Sequence, residues 1–303
     1  MDRLIEKILE KKNPTVAGLD PLLDYIPSYI KEASYKKFGK TLEGAANAVW
    51  EFNKSLIDAL APIVPAIKPQ SAYYELYGYE GVKVLAKTIE YAQSKGMYVI
   101  TDVKRNDIGS TAGAYADAYL GKTKVGDVEL SAFGSDGLTV NGYLGSDGLV
   151  PFVSYCNESD KSIFVLVKTS NPSSGELQNL KYESGKTLFE TMGELIEKLG
   201  ADSIGKYGYS NVGAVVGATY PQELTELRKK FKNMFFLIPG YGAQGGGAKD
   251  IIGAFDENGI GGIVNSSRAI MCAYKKEGCD EKDFAAAAAR EAIRMRDEIT
   301  ALL

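Results

Sequence analysis

The sequence predicts an α/β chain folded as a (β/α)8 TIM barrel, and three observations carry that expectation. Short apolar segments recur along the whole chain, stretches with helical periodicity lie between them, and the apolar segments number eight. Alternating β and α units imply a parallel sheet, and eight of them favour a closed barrel over a doubly wound open sheet. At 303 residues the chain exceeds the ~250 of a plain barrel, which leaves room for insertions.

The expected strands, in order, are residues 15–19, 63–67, 98–101, 137–140, 163–167, 212–216, 235–238 and 262–264. Residues 79–94, 187–199 and 221–231 carry apolar side chains at three- and four-residue spacing, as amphipathic helices do. The excess length falls in a first crossover over 21–60, in polar segments at 120–130 and 172–184, and in an alanine-rich closing helix from 280 onward. No linker composition interrupts the chain, so a single catalytic domain over 1–303 with helical insertions is expected. The Ser- and Gly-containing stretch 172–176 follows the fifth strand, where it reads either as an active-site lid or as a surface loop.

Composition narrows the function classes. A net charge of −4 argues against nucleic acid, which requires a clustered basic surface. No run of about 18 apolar residues occurs, and the charged first residues lack a signal-peptide core, so a cytoplasmic protein without membrane association is expected. Three scattered cysteines (Cys156, Cys272 and Cys279) suit reduced thiols better than a disulfide framework. The chain contains no histidine, so acid–base chemistry falls to Asp, Glu, Lys or Tyr. A zinc site is not expected, although a carboxylate-bound magnesium would not need histidine.

Barrel active sites collect at the carboxyl ends of the strands, and polar residues stand at those ends here: Asp20, Lys68, Asp102 with Lys104, Asn141, Lys168 to Ser170, Gln244 and Arg268. Side chains two apart on a strand share a face, so Asp102 and Lys104 should pair. A lysine beside a carboxylate stays protonated, which suits Lys104 as a proton donor rather than a Schiff-base nucleophile. An acid held against a substrate carboxylate raises the energy of the bound anion, and loss of carbon dioxide relieves it. Decarboxylation therefore fits; the alternative is a buried salt-bridge network without chemistry. The glycine-rich stretch 239–247, followed by Ser267 and Arg268, reads as a phosphate site on loops seven and eight or as a tight turn.

The segment Asp102-Val-Lys-Arg-Asn-Asp107-Ile-Gly-Ser-Thr111 closely resembles the signature of the orotidine 5'-phosphate decarboxylase family. Val16-Ala-Gly-Leu-Asp20-Pro, Ile67-Lys-Pro-Gln70, Leu166-Val-Lys-Thr-Ser-Asn-Pro172, Val215-Val-Gly-Ala-Thr219, the 239–247 loop and Val264-Asn-Ser-Ser-Arg268 are similar to the longer bacterial (type 2) subfamily, over essentially the whole chain. The resemblance implies conversion of orotidine 5'-monophosphate to uridine 5'-monophosphate without metal or organic cofactor. It implies that Asp102 faces the substrate carboxylate, Lys104 protonates C6, and Lys68 ties the network together. Asp20 would bind a ribose hydroxyl, Asn141 and Ser170 the pyrimidine, and Gln244, Ser267 and Arg268 the phosphate. It further implies a homodimer in which Asp107, Ile108 and Thr111 enter the partner's site. Asn106 departs from the family, where glycine is frequent; Asn tolerates positive φ, so the turn is expected to survive. Tyr73 to Tyr77 would lie at the interface or pack in the core. A related barrel acting on a sugar phosphate through magnesium, and a silent phosphate-binding module, remain alternatives.

Overall fold

The computed structural model describes residues 1–242 and 246–303. Eight parallel strands close a barrel in the order β1, β10, β9, β8, β7, β6, β3, β2. They are β1 (Thr15–Leu19), β2 (Ala66–Pro69), β3 (Tyr98–Arg105), β6 (Gly137–Val140), β7 (Ser162–Lys168), β8 (Val212–Val216), β9 (Phe236–Ile238) and β10 (Gly262–Ser266). The expected barrel is correct, with boundary changes at β2, which starts three residues later, and β3, which runs four residues further. The insertion at 120–130 contains a hairpin that the sequence reading lacked, β4 (Thr123–Val125) paired antiparallel with β5 (Val128–Leu130). The 21–60 crossover holds the helices Ser28–Phe38 and Leu42–Leu60, and the chain closes on the helix Phe284–Thr300.

Two apolar layers hold the barrel. Between strands and helices lies a large cluster with Phe52, Leu56, Ile89, Phe152, Phe236 and Ile270, all fully buried. Inside the barrel, side chains of alternate strand positions stack: Val16, Ala66, Tyr98, Ile100, Phe164, Val215, Leu237 and Ile263. The first helix, Asp2–Lys11, sets Leu4, Ile5 and Ile8 against this interior stack. Those three residues lie on one face of a helix, so a single amphipathic turn and a half seals the amino-terminal end. Closed below, the barrel opens into its cavity at the carboxyl ends of the strands.

Two register shifts interrupt the parallel ladder near that end. One lies on β3 between Thr101 and Arg105, the other on β7 between Leu166 and Lys168. Within the first, Lys104 has φ of 48°. A non-glycine residue in the left-handed region costs of the order of 1–3 kcal/mol and persists where surrounding bonds over-determine it. Asn106, where the left-handed turn was expected, does not adopt positive φ; its amide packs against Gly148 instead.

Candidate active site

A cavity of about 700 Å³ opens at the carboxyl ends of the strands, a size suited to a small-molecule ligand. Its wall includes Asp20, Lys68, Asp102, Lys104, Ser170, Ser267 and Arg268 from the residues expected. Sequence reasoning missed Tyr25, Tyr73, Thr139, Gln178 and Asn265. Gln244 lies outside the described residues.

Asp102 is the hub. Lys68 Nζ donates to its Oδ2 at 2.6 Å, Lys104 Nζ to its Oδ1 at 2.7 Å, and Thr139 Oγ1 also to Oδ1 at 2.8 Å. Thr139 in turn accepts the Lys104 backbone N–H at 3.0 Å, which fixes the left-handed residue in place. Burial alone would push the Asp102 carboxyl up, but Lys68 and Lys104 outweigh it and hold the group well below the usual carboxylate range. Burial would likewise deprotonate Lys68, yet the carboxylates of Asp102 and Asp20 raise its pKa. Lys68 and Asp102 are almost wholly shielded, whereas 45% of the Lys104 side chain is accessible. The network therefore presents mainly the Lys104 amine, beside a narrow edge of Asp102, to the open part of the cavity.

Asp20 extends the alternation of charge from β1. Its Oδ1 is buried without a partner among the described residues. Burial pushes its carboxyl up, against the opposing pull of Lys68, the Ser267 hydroxyl and Lys104. Gly18, two residues earlier, cannot be replaced freely, since a Cβ there would lie 1.9 Å from Ser267 Oγ. Asn265 Nδ2 donates to that hydroxyl at 3.3 Å. Arg268 opens the short helix Arg268–Met271 beside Gly240, whose φ of 99° bends the loop after β9.

Four expected residues stand outside this cavity wall. Asn141 is exposed, and its Oδ1 accepts the N–H of Tyr143 in a local turn outside the cavity wall. Asp107, Ile108 and Thr111 lead into the helix Gly109–Tyr119, with Ile108 exposed. Of the tyrosine cluster, Tyr74 and Tyr77 pack in the core and Tyr73 faces the cavity. The 172–176 segment forms a turn of 3-10 helix, Pro172–Ser174, and the start of the short helix Gly175–Gln178.

A closed β/α barrel with ionised lysines and carboxylates ringing a cavity at the strand ends defines a barrel enzyme. The family described as orotidine 5'-phosphate decarboxylase / HUMPS matches residues 46–278. The orotidine 5'-phosphate decarboxylase of Rhodopirellula baltica is 45% identical over 296 residues, covering 96% of either chain. That of Clostridium acetobutylicum is 43% identical, covering 99% of this chain and 98% of its own. The solved OMP decarboxylase of Leishmania donovani superposes with a TM-score of 0.74 at 30% identity, over 99% of this chain and 97% of that one. The chain belongs to the orotidine 5'-phosphate decarboxylase family, as the motif at 102–111 implied. No helix among the described residues is long and apolar enough to cross a membrane.

The raised pKa of Asp20 has a stability consequence. The folded state holds this proton more tightly than the unfolded chain, so stability falls as pH rises from the ordinary carboxylate value of ~4 through the raised one. Above that raised value the half-satisfied carboxylate is a standing cost. Asp20→Asn is expected to raise the melting temperature of the ligand-free protein at neutral pH, by about 2–4 °C for each kcal/mol recovered, with the gain vanishing below about pH 4. Thermal melts across pH check this; a lower Tm for the variant at neutral pH contradicts it.

Proposed function

We propose that this protein converts orotidine 5'-monophosphate to uridine 5'-monophosphate and carbon dioxide, the last step of de novo pyrimidine synthesis, as a cofactor-independent, metal-independent homodimer in the cytoplasm, with residues 1–303 forming one catalytic domain. The observation that carries the reading is the clasp of Asp102 between Lys68 and Lys104, with the Lys104 ammonium facing the cavity.

The chemistry follows from charge placement. With the orotate ring over the cavity floor, its carboxylate comes against Asp102, and the C6–carboxylate bond breaks with both electrons left on C6. Carbon dioxide departs neutral, so the repulsion at Asp102 is relieved while negative charge grows beside the Lys104 ammonium. Lys104 gives its proton to C6 and regains one from solvent. Two like charges about 4 Å apart repel by roughly 4 kcal/mol at an effective dielectric of ~20, equivalent to about three decades of rate. Repulsion thus supplies one part of the acceleration, and the ammonium, fixed before the reaction starts, supplies another without reorganisation. The two effects act on the same bond.

The remaining roles divide along the cavity. The open Oδ1 of Asp20 suits a ribose hydroxyl, and Lys68, between Asp20 and Asp102, holds Asp102 ionised and pulls against the burial that pushes Asp20 up. Arg268, Ser267 and Gln244 hold the phosphate, whose binding energy, remote from C6, can offset the strain of bringing two carboxylates together. Ser170 meets the pyrimidine edge. Asp107, Ile108 and Thr111 serve the partner's site; in support, Ile108 is 57% exposed and Tyr143 77% exposed on loops after the neighbouring strands β3 and β6.

Purified protein is expected to consume orotidine 5'-monophosphate at the same rate with and without EDTA, followed by loss of the orotate absorbance. EDTA-sensitive turnover, or turnover only of a sugar phosphate with added magnesium, would move the reading to the metal-assisted relatives. Lys104→Ala should lower kcat by at least about 10³-fold, since removing a positioned acid and a fixed charge removes both effects, while UMP still binds. Near-normal turnover by this variant would remove the proton-donor role. For the shared site, inactive Lys104→Ala and Asp107→Ala dimers are to be mixed and allowed to exchange subunits. If Asp107 acts across the interface, about a quarter of the native activity returns, because half the dimers are hybrids with one intact site each. No recovery after exchange places Asp107 in its own subunit's site.

A further inference from the structure

The loop after β7 carries Ser170 into the cavity, and its hold on the barrel is almost entirely polar. Between Asn171 and Glu183 only Ser174 is buried, while Leu177 and Leu180 are each 57% exposed. A segment with so little apolar burial opens easily unless specific bonds latch it. Two adjacent residues supply them. Gln178 Oε1 accepts the backbone N–H of Thr169 at 3.0 Å, and its Nε2 donates to Thr169 Oγ1 at 2.7 Å. Next to it, Asn179 Oδ1 accepts from Lys168 Nζ at 2.5 Å.

Lys168 makes the second bond demanding. The residue is wholly buried, its ammonium 4.5 Å from the Tyr220 ring centre and 5.2 Å from that of Phe189. None of its ion pairs to a carboxylate falls within 4.0 Å among the described residues. A buried ammonium facing two aromatic rings needs an oxygen, and Asn179 provides it. The following residues continue the restraint: Thr169 Oγ1 donates to Asn171 Oδ1 at 2.6 Å, and Tyr220 reaches Ser174 at 3.1 Å. Ser170 itself rests on Gly217, where a Cβ would come within 2.9 Å of its backbone N and Cα. Pinned from before by Gln178 and from below by Gly217, Ser170 has one placement.

Resting on the decarboxylase reading of the cavity, we infer that Gln178, seated by the Lys168–Asn179 anchor, is a positioning residue for Ser170 and sets recognition of the nucleotide base as distinct from its sugar phosphate. Gln178 also forms part of the cavity wall, so its hydrogen-bonded amide borders the ligand it helps to select.

The test compares two ligands on the intact protein by calorimetry: UMP, which carries the base, and ribose 5-phosphate, which does not. Gln178→Ala is expected to weaken UMP about tenfold, the equivalent of one or two neutral hydrogen bonds, and to leave ribose 5-phosphate within about twofold, with Tm unchanged. Lys168→Met keeps the side chain's length between the two rings and removes its charge, so it should fold at least as stably and still lose UMP affinity by about threefold or more. Equal losses for the two ligands, or none, overturn the inference. Native protein that binds UMP no better than ribose 5-phosphate instead overturns the nucleotide reading beneath it.

Discussion

The mouth of this barrel is organised around a carboxylate that cannot move. Asp102 is buried and takes three hydrogen bonds, from Lys68, Lys104 and Thr139, contributed by β2, β3 and β6. No member of the group is stable alone. Without the lysines a buried carboxylate would take up a proton; without Asp102, Lys68 would be an unpaired buried charge, a loss of about 3–5 kcal/mol. Asp20 adds a second acid, so acids and lysines alternate along the set. Such a set is costly to assemble in a core, and its persistence across neighbouring strands argues for use beyond stability.

The barrel provides for this group by separating its two ends. Interior layers from Val16 to Ile263, capped by the first helix, satisfy the requirement for a dry core. The irregular backbone of the ladder then falls at the open end. Both register shifts lie there, on β3 beside Lys104 and on β7 ahead of Ser170. A bulge re-aims the side chains that follow it, which is how a regular ladder can deliver Asp102 and Lys104 to one point while the rest of β3 remains paired. The left-handed backbone at Lys104 is the local cost, and the Thr139 hydroxyl restrains it.

Much of this arrangement was legible in the sequence. Strand ends mark the mouth of a barrel, so locating eight apolar segments already located Asp20, Lys68, Asp102, Ser170 and Arg268. Residues that act from within a strand or across a loop were hidden. Thr139 reads as an ordinary β-branched strand residue, and only the β3 register reveals that its hydroxyl is shared by Asp102 and Lys104. Gln178 and Thr169 are brought together by the fold of an exposed loop, for which no periodicity exists. The β4–β5 hairpin did carry a signal, Gly126-Asp127 between Val125 and Val128, with Gly126 at φ of 64°. The left-handed position was misplaced by two residues, because the bulge rather than the residue's own preference decides it.

The chain from Asn265 through Ser267 towards Asp20 shows why such a site binds selectively. Asn265 Oδ1, on β10, and Asp20 Oδ1, just after the neighbouring β1, are both buried acceptors without a partner among the described residues. Each unsatisfied acceptor costs of the order of 1–3 kcal/mol. A ligand that brings hydroxyl donors to this wall recovers part of that cost, whereas one lacking them leaves it standing and adds desolvation. Affinity at this wall is thus drawn from a deficiency in the free protein, and the same deficiency makes the rejection of unsuitable ligands stronger than their lost contacts alone would make it.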